Sequence, residues 1–263
     1  MKLSISPPIL ELMIQPGKTV KQTYAISSDG NNTNLSSKLV YFVADGNWGN
    51  ISLTDSKVPD WISFDQKSLT LTISPPENAE EVDHFMTLVF TTESPIDLTN
   101  QNSTSISSQI GSNILLTISK DGNIKKSAEI IEFSAPKIVD SFLSPIRYSL
   151  TLANTGNSYW KPNGKIIINN DKIIKLAPFN VLSNYKRNIS CLADENLIDC
   201  KLDKTFLIGK YKANLEFSID DDPKIYQEET VTYAFPFILT FVLLLLLIIY
   251  KFRGILKIWR KRK

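Results

Sequence analysis

Between Glu229 and Lys251 the chain runs for 21 residues without a charge, TVTYAFPFILTFVLLLLLIIY. At about 1.5 Å per residue a helix of that length reaches roughly 30 Å, the thickness of bilayer hydrocarbon. This run constrains the fold most, because so apolar a segment must end in lipid or in a core. Pro236 falls near its start, where a missing N–H costs little. Tyr233, Phe235 and Tyr250 lie toward its two ends as interface anchors do. The expectation is a transmembrane helix over residues 231–250.

The run is followed by a basic tail, residues 251–263, with seven Lys or Arg and no acid. Cationic flanks stay on the cytoplasmic side, so the tail is expected in the cytoplasm and everything before residue 231 outside it. Within the tail Phe252, Ile255, Leu256 and Trp259 recur at i, i+3, i+4 and i+7. That stripe suits either a helix lying on the anionic leaflet or a short stop-transfer tail. An exported segment needs a leader, yet MKLSISPPILEL has no apolar h-region. The expectation is therefore a signal peptide upstream of this start. No LPxTG-like pentapeptide precedes YAFPF, so retention by the helix is expected and wall sorting is not.

The whole chain carries a formal charge of +2, which leaves −5 before the tail. Residues 1–134 hold 9 basic and 15 acidic side chains, and 135–250 hold 13 and 12. An acidic first part is poorly suited to gripping polyanions through counterion release, so nucleic acid is not an expected partner. The two cysteines, Cys191 and Cys200, lie in SCLADENLIDCK with polar turn-formers between short apolar stretches. They read as a hairpin pair, either bridged in an oxidising compartment or packed as reduced thiols. No second pair of metal-ligating residues lies near them, so no metal site is expected.

Period-2 alternation recurs in KTVKQTYAIS, KSLTLTIS, HFMTLVFTTE and RYSLTLAN, each bounded by Pro, Gly, Asn or Asp. No soluble stretch sustains a 3.6-residue period, which excludes parallel α/β folds with crossover helices. The expected fold is all-β: two tandem immunoglobulin-like β-sandwiches followed by one C-terminal transmembrane α-helix. The first sandwich is placed at 1–134, with strands near 9–14, 19–27, 38–44, 51–54, 68–74, 84–92, 113–119 and 124–133. The polar stretch ESPIDLTNQNSTSISSQIGS is expected to be a long exposed loop. The second is placed at 135–230, with strands near 147–153, 164–168, 172–175, 186–190, 197–201, 210–219 and 224–231. DDDPK after Ile219 reads as a solvated turn, since calcium needs further spaced oxygen ligands.

Several stretches resemble the WxL-interacting cell-surface proteins of Gram-positive bacteria and their relatives. ISPPILELMIQPGKTVKQTYAISS is similar to that family's opening strand pair, with Pro16 and Gly17 as the turn, and PENAEEVDHFMTLVFTTE to its proline, spacer and GdHyxtlvF strand. SQIGSNILLTISKDGNIKKSAEIIEFS resembles the pair that closes the first domain. YSLTLANTGNSYWKPNGKIIINN resembles the NtGN segment, and FLIGKYKANLEFS the l.G.Y.a.l strand. The resemblance implies a first domain that contacts peptidoglycan or partner surface proteins and a second that engages host or neighbouring surface proteins. Its motifs are architectural: Asn154, Gly156 and Asn157 make a turn, and Gly209 and Tyr211 a strand entry. The chain departs from the pattern in His84-Phe85 for His-Tyr, in Asp83 or Val82 in place of the preceding glycine, and in its cysteine pair.

The sole histidine, His84, begins a strand beside Glu80, Glu81 and Asp83. It reads as a half-exposed strand residue, because no GxSxG strand–turn–helix accompanies it and no triad partner is aligned. DGNWGN has glycines but no following Lys-Ser and no helix, so it is not a phosphate loop. Trp61 reads as core. Trp48 in DGNWGN, and Tyr159 and Trp160 in NSYWKPNG, are the candidate ligand contacts, each to be weighed against plain packing. Asn31, Asn34, Asn50, Asn102 and Asn188 begin Asn-x-Ser/Thr triplets, which matter only in a eukaryotic secretory host. The function expected is non-enzymatic, without cofactor: a membrane-anchored bacterial surface protein that binds cell-wall polymer or surface proteins in adhesion or attachment, with the bilayer as a further partner. The alternatives are a chaperone-like assembly module for surface polymers and a wall or glycan hydrolase.

Overall fold

The computed structural model describes residues 3–28, 34–93, 108–204, 206–220 and 222–261, with side chains to Arg253. The chain is mostly β with one C-terminal helix and divides into two units. The first comprises Met1–Ser127 with two later segments, Asn154–Tyr159 and Leu182–Tyr185. The second holds Ala128–Ala153, Trp160–Val181 and Lys186–Lys263.

The strands of the first unit are β1 (Leu3–Ser6), β2 (Ile9–Ile14), β3 (Val20–Thr23), β4 (Ala25–Ser28), β5 (Asn34–Asp45), β6 (Asn50–Thr54), β7 (Ile62–Asp65), β8 (Thr70–Ile73), β9 (Asp83–Glu93) and β10 (Gln109–Ile118). Alternation sets their faces: in β8, Leu71 and Ile73 point into the core while Thr70 and Thr72 stay partly exposed. A five-stranded sheet runs β2-β10-β9-β5-β6, a three-stranded one β3-β8-β7, and β1 pairs β4. With β1 and β2 as strand A and β3 and β4 as strand B, the two layers read A-B-E-D and A′-G-F-C-C′. That is the immunoglobulin-like order. Between the layers lie Leu71 and Ile73 from one sheet and Met86, Leu88, Phe90, Ile114 and Leu116 from the other. Each such burial stabilises the fold by about 1.5–3 kcal/mol.

The outer face of the five-stranded sheet is apolar as well. Phe42, Phe85 and Leu115 are buried there with Ile51, Tyr159 and Leu182 against them. This second face is why β9 and β10 read as near-continuous apolar runs, and it is covered in part by the two later segments.

The second unit contains β11 (Ala128–Ser134), β12 (Ile138–Asp140), β13 (Ile146–Arg147), β14 (Ser149–Asn154), β15 (Pro162–Ile168), β16 (Lys172–Leu176), β17 (Lys186–Asn188), β18 (Cys191–Ala193), β19 (Asn196–Ile198), β20 (Lys201–Leu202), β21 (Gly209–Ile219), β22 (Tyr226–Phe235) and helix α1 (Phe237–Lys261). A seven-stranded sheet, β12-β22-β21-β15-β16-β18-β19, faces a three-stranded one, β11-β14-β17, and β13 pairs β20. Leu150, Leu152, Trp160, Ile166, Leu215 and Phe217 fill the space between them.

Three expectations change. The stretch 124–133 was expected to close the first sandwich; the strand there is Ala128–Ser134 and pairs β14 of the second. The sequence boundary at 134/135 therefore moves to 127/128, because hydrogen bonding across the sheet decides membership. β1, β7, β12 and β18 lie outside the expected strands; each is three or four residues long and is held by its pairing with a neighbouring strand. The expected helix over 231–250 begins only at Phe237, since Val231–Phe235 completes β22. Of the expected long polar loop, residues 94–107 lie outside the described residues, as do Asn31 and Asn102.

Candidate functional site

The strand-to-helix passage at the C-terminus is built from the second sandwich. β22 pairs β21 along Tyr226–Ala234 and β12 at Tyr233–Phe235, so the backbone groups of 231–235 are taken by the sheet. Thr232 and Ala234 are buried there. Pro236, without an N–H, ends the ladder. The first turn of α1 is capped from a distance: Asp140 Oδ2 accepts the Ile238 N–H at 2.8 Å. A carboxylate in that place satisfies an orphan donor and meets the positive end of the helix dipole.

From Phe241 to Tyr250 every side chain of α1 is between 44% and 78% exposed. So long an exposed apolar surface is the kind that meets lipid or another protein. The stretch without charge inside the helix, Phe237–Tyr250, measures about 21 Å at the helical rise, against roughly 30 Å of hydrocarbon. Among the described residues no helix is long and apolar enough to cross a membrane. The expected span is shortened because its first six residues went to the strand and to Pro236. The side chains of Ile255, Leu256 and Trp259, the rest of the expected amphipathic stripe, lie outside the described residues.

The three aromatic candidates occupy three different environments. Trp48 is 71% exposed on the β5–β6 hairpin, where Gly46 (φ 68°) and Gly49 (φ 81°) supply the left-handed turn. Tyr159 is half-buried, edge-on to Phe85 with ring centres 6.3 Å apart. Trp160 is fully buried and stacks on Phe217 at 6.5 Å, so it is withdrawn as a ligand contact. Its backbone bridges Val181 in extended conformation, and successive side chains then point opposite ways. Trp61 is partly buried against the first core.

Cys191 opens β18 and Cys200 follows β19; the two are bridged, with Cα atoms 5.0 Å apart, inside the second core. The Asp222 carboxylate accepts the Lys224 N–H at 2.8 Å, a local turn, and the Asp220 carboxylate accepts the Lys161 N–H at 2.9 Å from a distant segment. Among the described residues no three His, Cys, Asp or Glu converge as a metal site.

His84 Nδ1 lies 2.6 Å from the Tyr41 hydroxyl, and its ring meets the edge of Trp61 at 5.3 Å. Burial holds its pKa below the ordinary histidine value, partly opposed by Glu80. The residue that the sequence did not single out is Asp83. Thr117 Oγ1 donates to its Oδ1 and the Tyr159 N–H to its Oδ2, both at 2.7 Å. Burial nevertheless raises its pKa, against the lowering effect of these bonds and of Ser183 and Ser158. Neighbours on a strand face opposite sides, so Asp83 and His84 do not form an acid–base pair. Asp83 instead fastens the 154–159 segment to the first sandwich.

No protein-family model matches the chain, and no curated protein matches it. Solved structures similar to it include the class 5 fimbriae chaperone CfaA, at 10% identity and TM-score 0.39 over 89% of this chain and 100% of that one. The YadV chaperone is similar at 11% identity and TM-score 0.37, over 88% and 100%. A third is the CsuC–CsuE chaperone–tip adhesion subunit complex of Acinetobacter baumannii, at 12% identity and TM-score 0.35, over 76% and 93%. Scores of this size decide neither fold nor function, and the two-sandwich description stands on strand order and packing.

Proposed function

We propose that this chain is a non-enzymatic binding protein of a bacterial cell surface, a member of the WxL-interacting kind, held at the membrane by α1. Both sandwiches face outward and the basic tail lies in the cytoplasm. The observation that carries the reading is the helix: ten consecutive residues, Phe241–Tyr250, stand exposed on an element continuous with a well-packed sandwich. Lipid is the solvent in which such a surface is stable. Lys251 and Arg253 can snorkel toward headgroups and lengthen the tolerated span beyond the uncharged 21 Å or so. The seven cations after Tyr250 support the direction, and a disulfide in the second sandwich suits an oxidising exterior. Partners, a surface protein or wall polymer, would be met by loops and sheet faces, with Trp48 as an exposed anchor.

The test is protease added to intact cells stripped of wall, with a tag on the C-terminus. Digestion of the sandwiches with the tag protected is the expected result. Intact sandwiches with a clipped tag would overturn the orientation, and recovery of the chain in the soluble fraction would overturn the anchor. A second reading, an assembly module that pairs with a subunit's strand, draws on β6, an edge strand with Leu53 53% exposed. A proline that removes an outward-facing N–H of that strand abolishes partner capture only on this second reading.

A further inference from the structure

The end of the second sandwich from which α1 emerges is itself apolar. β12 and β22 place Ile138 beside Tyr233, and these are 65% and 55% exposed. One turn further, Phe142 and Leu143 are 44% and 61% exposed, and from the loop before β21 Phe206 and Ile208 are 53% and 65% exposed. They are contiguous: the Phe142 and Phe206 rings lie 5.8 Å apart, and the buried Ser141 hydroxyl donates to Leu207 O at 2.7 Å. The Ser141 N–H bonds Phe235 O at 3.2 Å, one residue before Pro236. The same loop is tied to the helix, since Asp140 accepts both the Phe142 N–H, at 3.0 Å, and the Ile238 N–H, at 2.8 Å. Two phenylalanines, three aliphatics and a tyrosine thus form a collar in the sense of an apolar patch beside the helix base, tied to it through Asp140 and Ser141.

We infer that this collar is a membrane-docking surface, seated in the headgroup–acyl boundary of the outward leaflet. The inference rests on the reading of α1 as a membrane anchor and extends it to the sandwich. Its argument is one of length and continuity. The uncharged part of α1 falls about 9 Å short of bilayer hydrocarbon, and the collar adds apolar surface at the outward end, where the shortfall can be made up. Phe and Tyr are residue types that interfaces favour, and Lys137 and Lys210, exposed and adjacent to Tyr233 in the backbone pairing, offer cations to lipid phosphate. A sandwich seated in this way stands on the bilayer in one orientation instead of swinging on a linker.

The test uses the full chain in vesicles of phosphatidylcholine and phosphatidylglycerol. Leu143→Cys, Phe206→Cys, Leu246→Cys and Trp48→Cys are labelled singly with a polarity-sensitive fluorophore; the native cysteines, bridged and buried, do not react. Each is read with a headgroup quencher and with a quencher deep in the acyl chain. The expected result is a blue shift and loss of emission to the headgroup quencher at 143 and 206, loss to the deep quencher at 246, and neither at 48. Water-exposed, unquenched labels at 143 and 206 beside a quenched 246 overturn the collar and leave the anchor standing. An unquenched 246 overturns the anchor, and with an unquenched collar it overturns both. The double variant Phe142→Ser/Phe206→Ser, whose intact disulfide reports folding, loses the headgroup quenching of a label at 143; retention of that signal also overturns the inference.

Discussion

Reducing the Cys191–Cys200 bridge perturbs one term cleanly, because the thiols keep the volume of the disulfide in the core. The cysteines are nine residues apart. Closing a loop of that size removes about 9 cal/mol/K from the unfolded chain, or about 2.7 kcal/mol at 25 °C. Cys191 is fully buried and Cys200 nearly so, between β16 and the β19–β20 turn, so the folded state gains no compensating freedom when the bond opens. With a urea slope of about 1–3 kcal/mol/M, the midpoint of the second sandwich falls by about 1–3 M. The reporter is Trp160, buried in that sandwich, in a chain whose Trp48, Trp61 and Trp259 are phenylalanine. Oxidised and reduced protein are unfolded in parallel. A midpoint shift below about 0.3 M would refute the reasoning, since it would mean that the unfolded chain already holds the hairpin ends together. The same arithmetic bears on compartment: in a reducing cytosol the second sandwich forfeits this term.

Gly164 sits where a Cβ would fall 2.3 Å from Phe217 Cβ and 2.4 Å from Glu216 O, both on the paired strand β21. Gly164→Val therefore lowers stability by about 3 kcal/mol or more, read as loss of the Trp160 unfolding transition; a shift under about 0.5 kcal/mol contradicts it. Asp83→Ala leaves the Tyr159 N–H without its carboxylate and costs about 1–3 kcal/mol in urea unfolding of the first sandwich. Because burial raises the folded pKa of Asp83, the folded state binds its proton more tightly than the unfolded chain, and this contribution is lost as pH rises from the ordinary carboxylate range through the raised value. Asp83→Asn flattens that slope, and an unchanged slope refutes the assignment. His84, lowered by burial, titrates below 6.5 by NMR, where as sole histidine it gives an unambiguous signal; a midpoint at or above 6.5 contradicts its buried setting.

Much of the architecture was legible because alternation is local. KSLTLTIS and HFMTLVFTTE carry their inward and outward faces in a few residues, and β8 and β9 appear where those stretches lie. What local pattern does not carry is the partner. Val231–Phe235 is apolar enough for lipid or for sheet, and it joins the sheet because β21 and β12 present unpaired backbone on either side of it. β11 has a good strand sequence but is claimed by β14 of the next sandwich. Trp160 and Tyr159 are equivalent candidates in sequence; only the bridge to Val181 shows which one the core removes from use. The role of Asp83 is not legible locally, because its donors, Thr117 and Tyr159, lie 34 and 76 residues away.

The order of residues alone determined that the chain is built of short half-buried strands, that its two cysteines fall within bridging reach and that its last third ends in oil followed by cations, since each of these is a matter of neighbours. Tertiary structure decided where oil stops being sheet and becomes helix and which segments cover the outer face of the first sandwich. The exposed apolar side chains lie as a patch beside the helix base, joined to it through Asp140, and all of these outcomes depend on hydrogen bonds and contacts between residues tens of positions apart, which only the folded chain brings together.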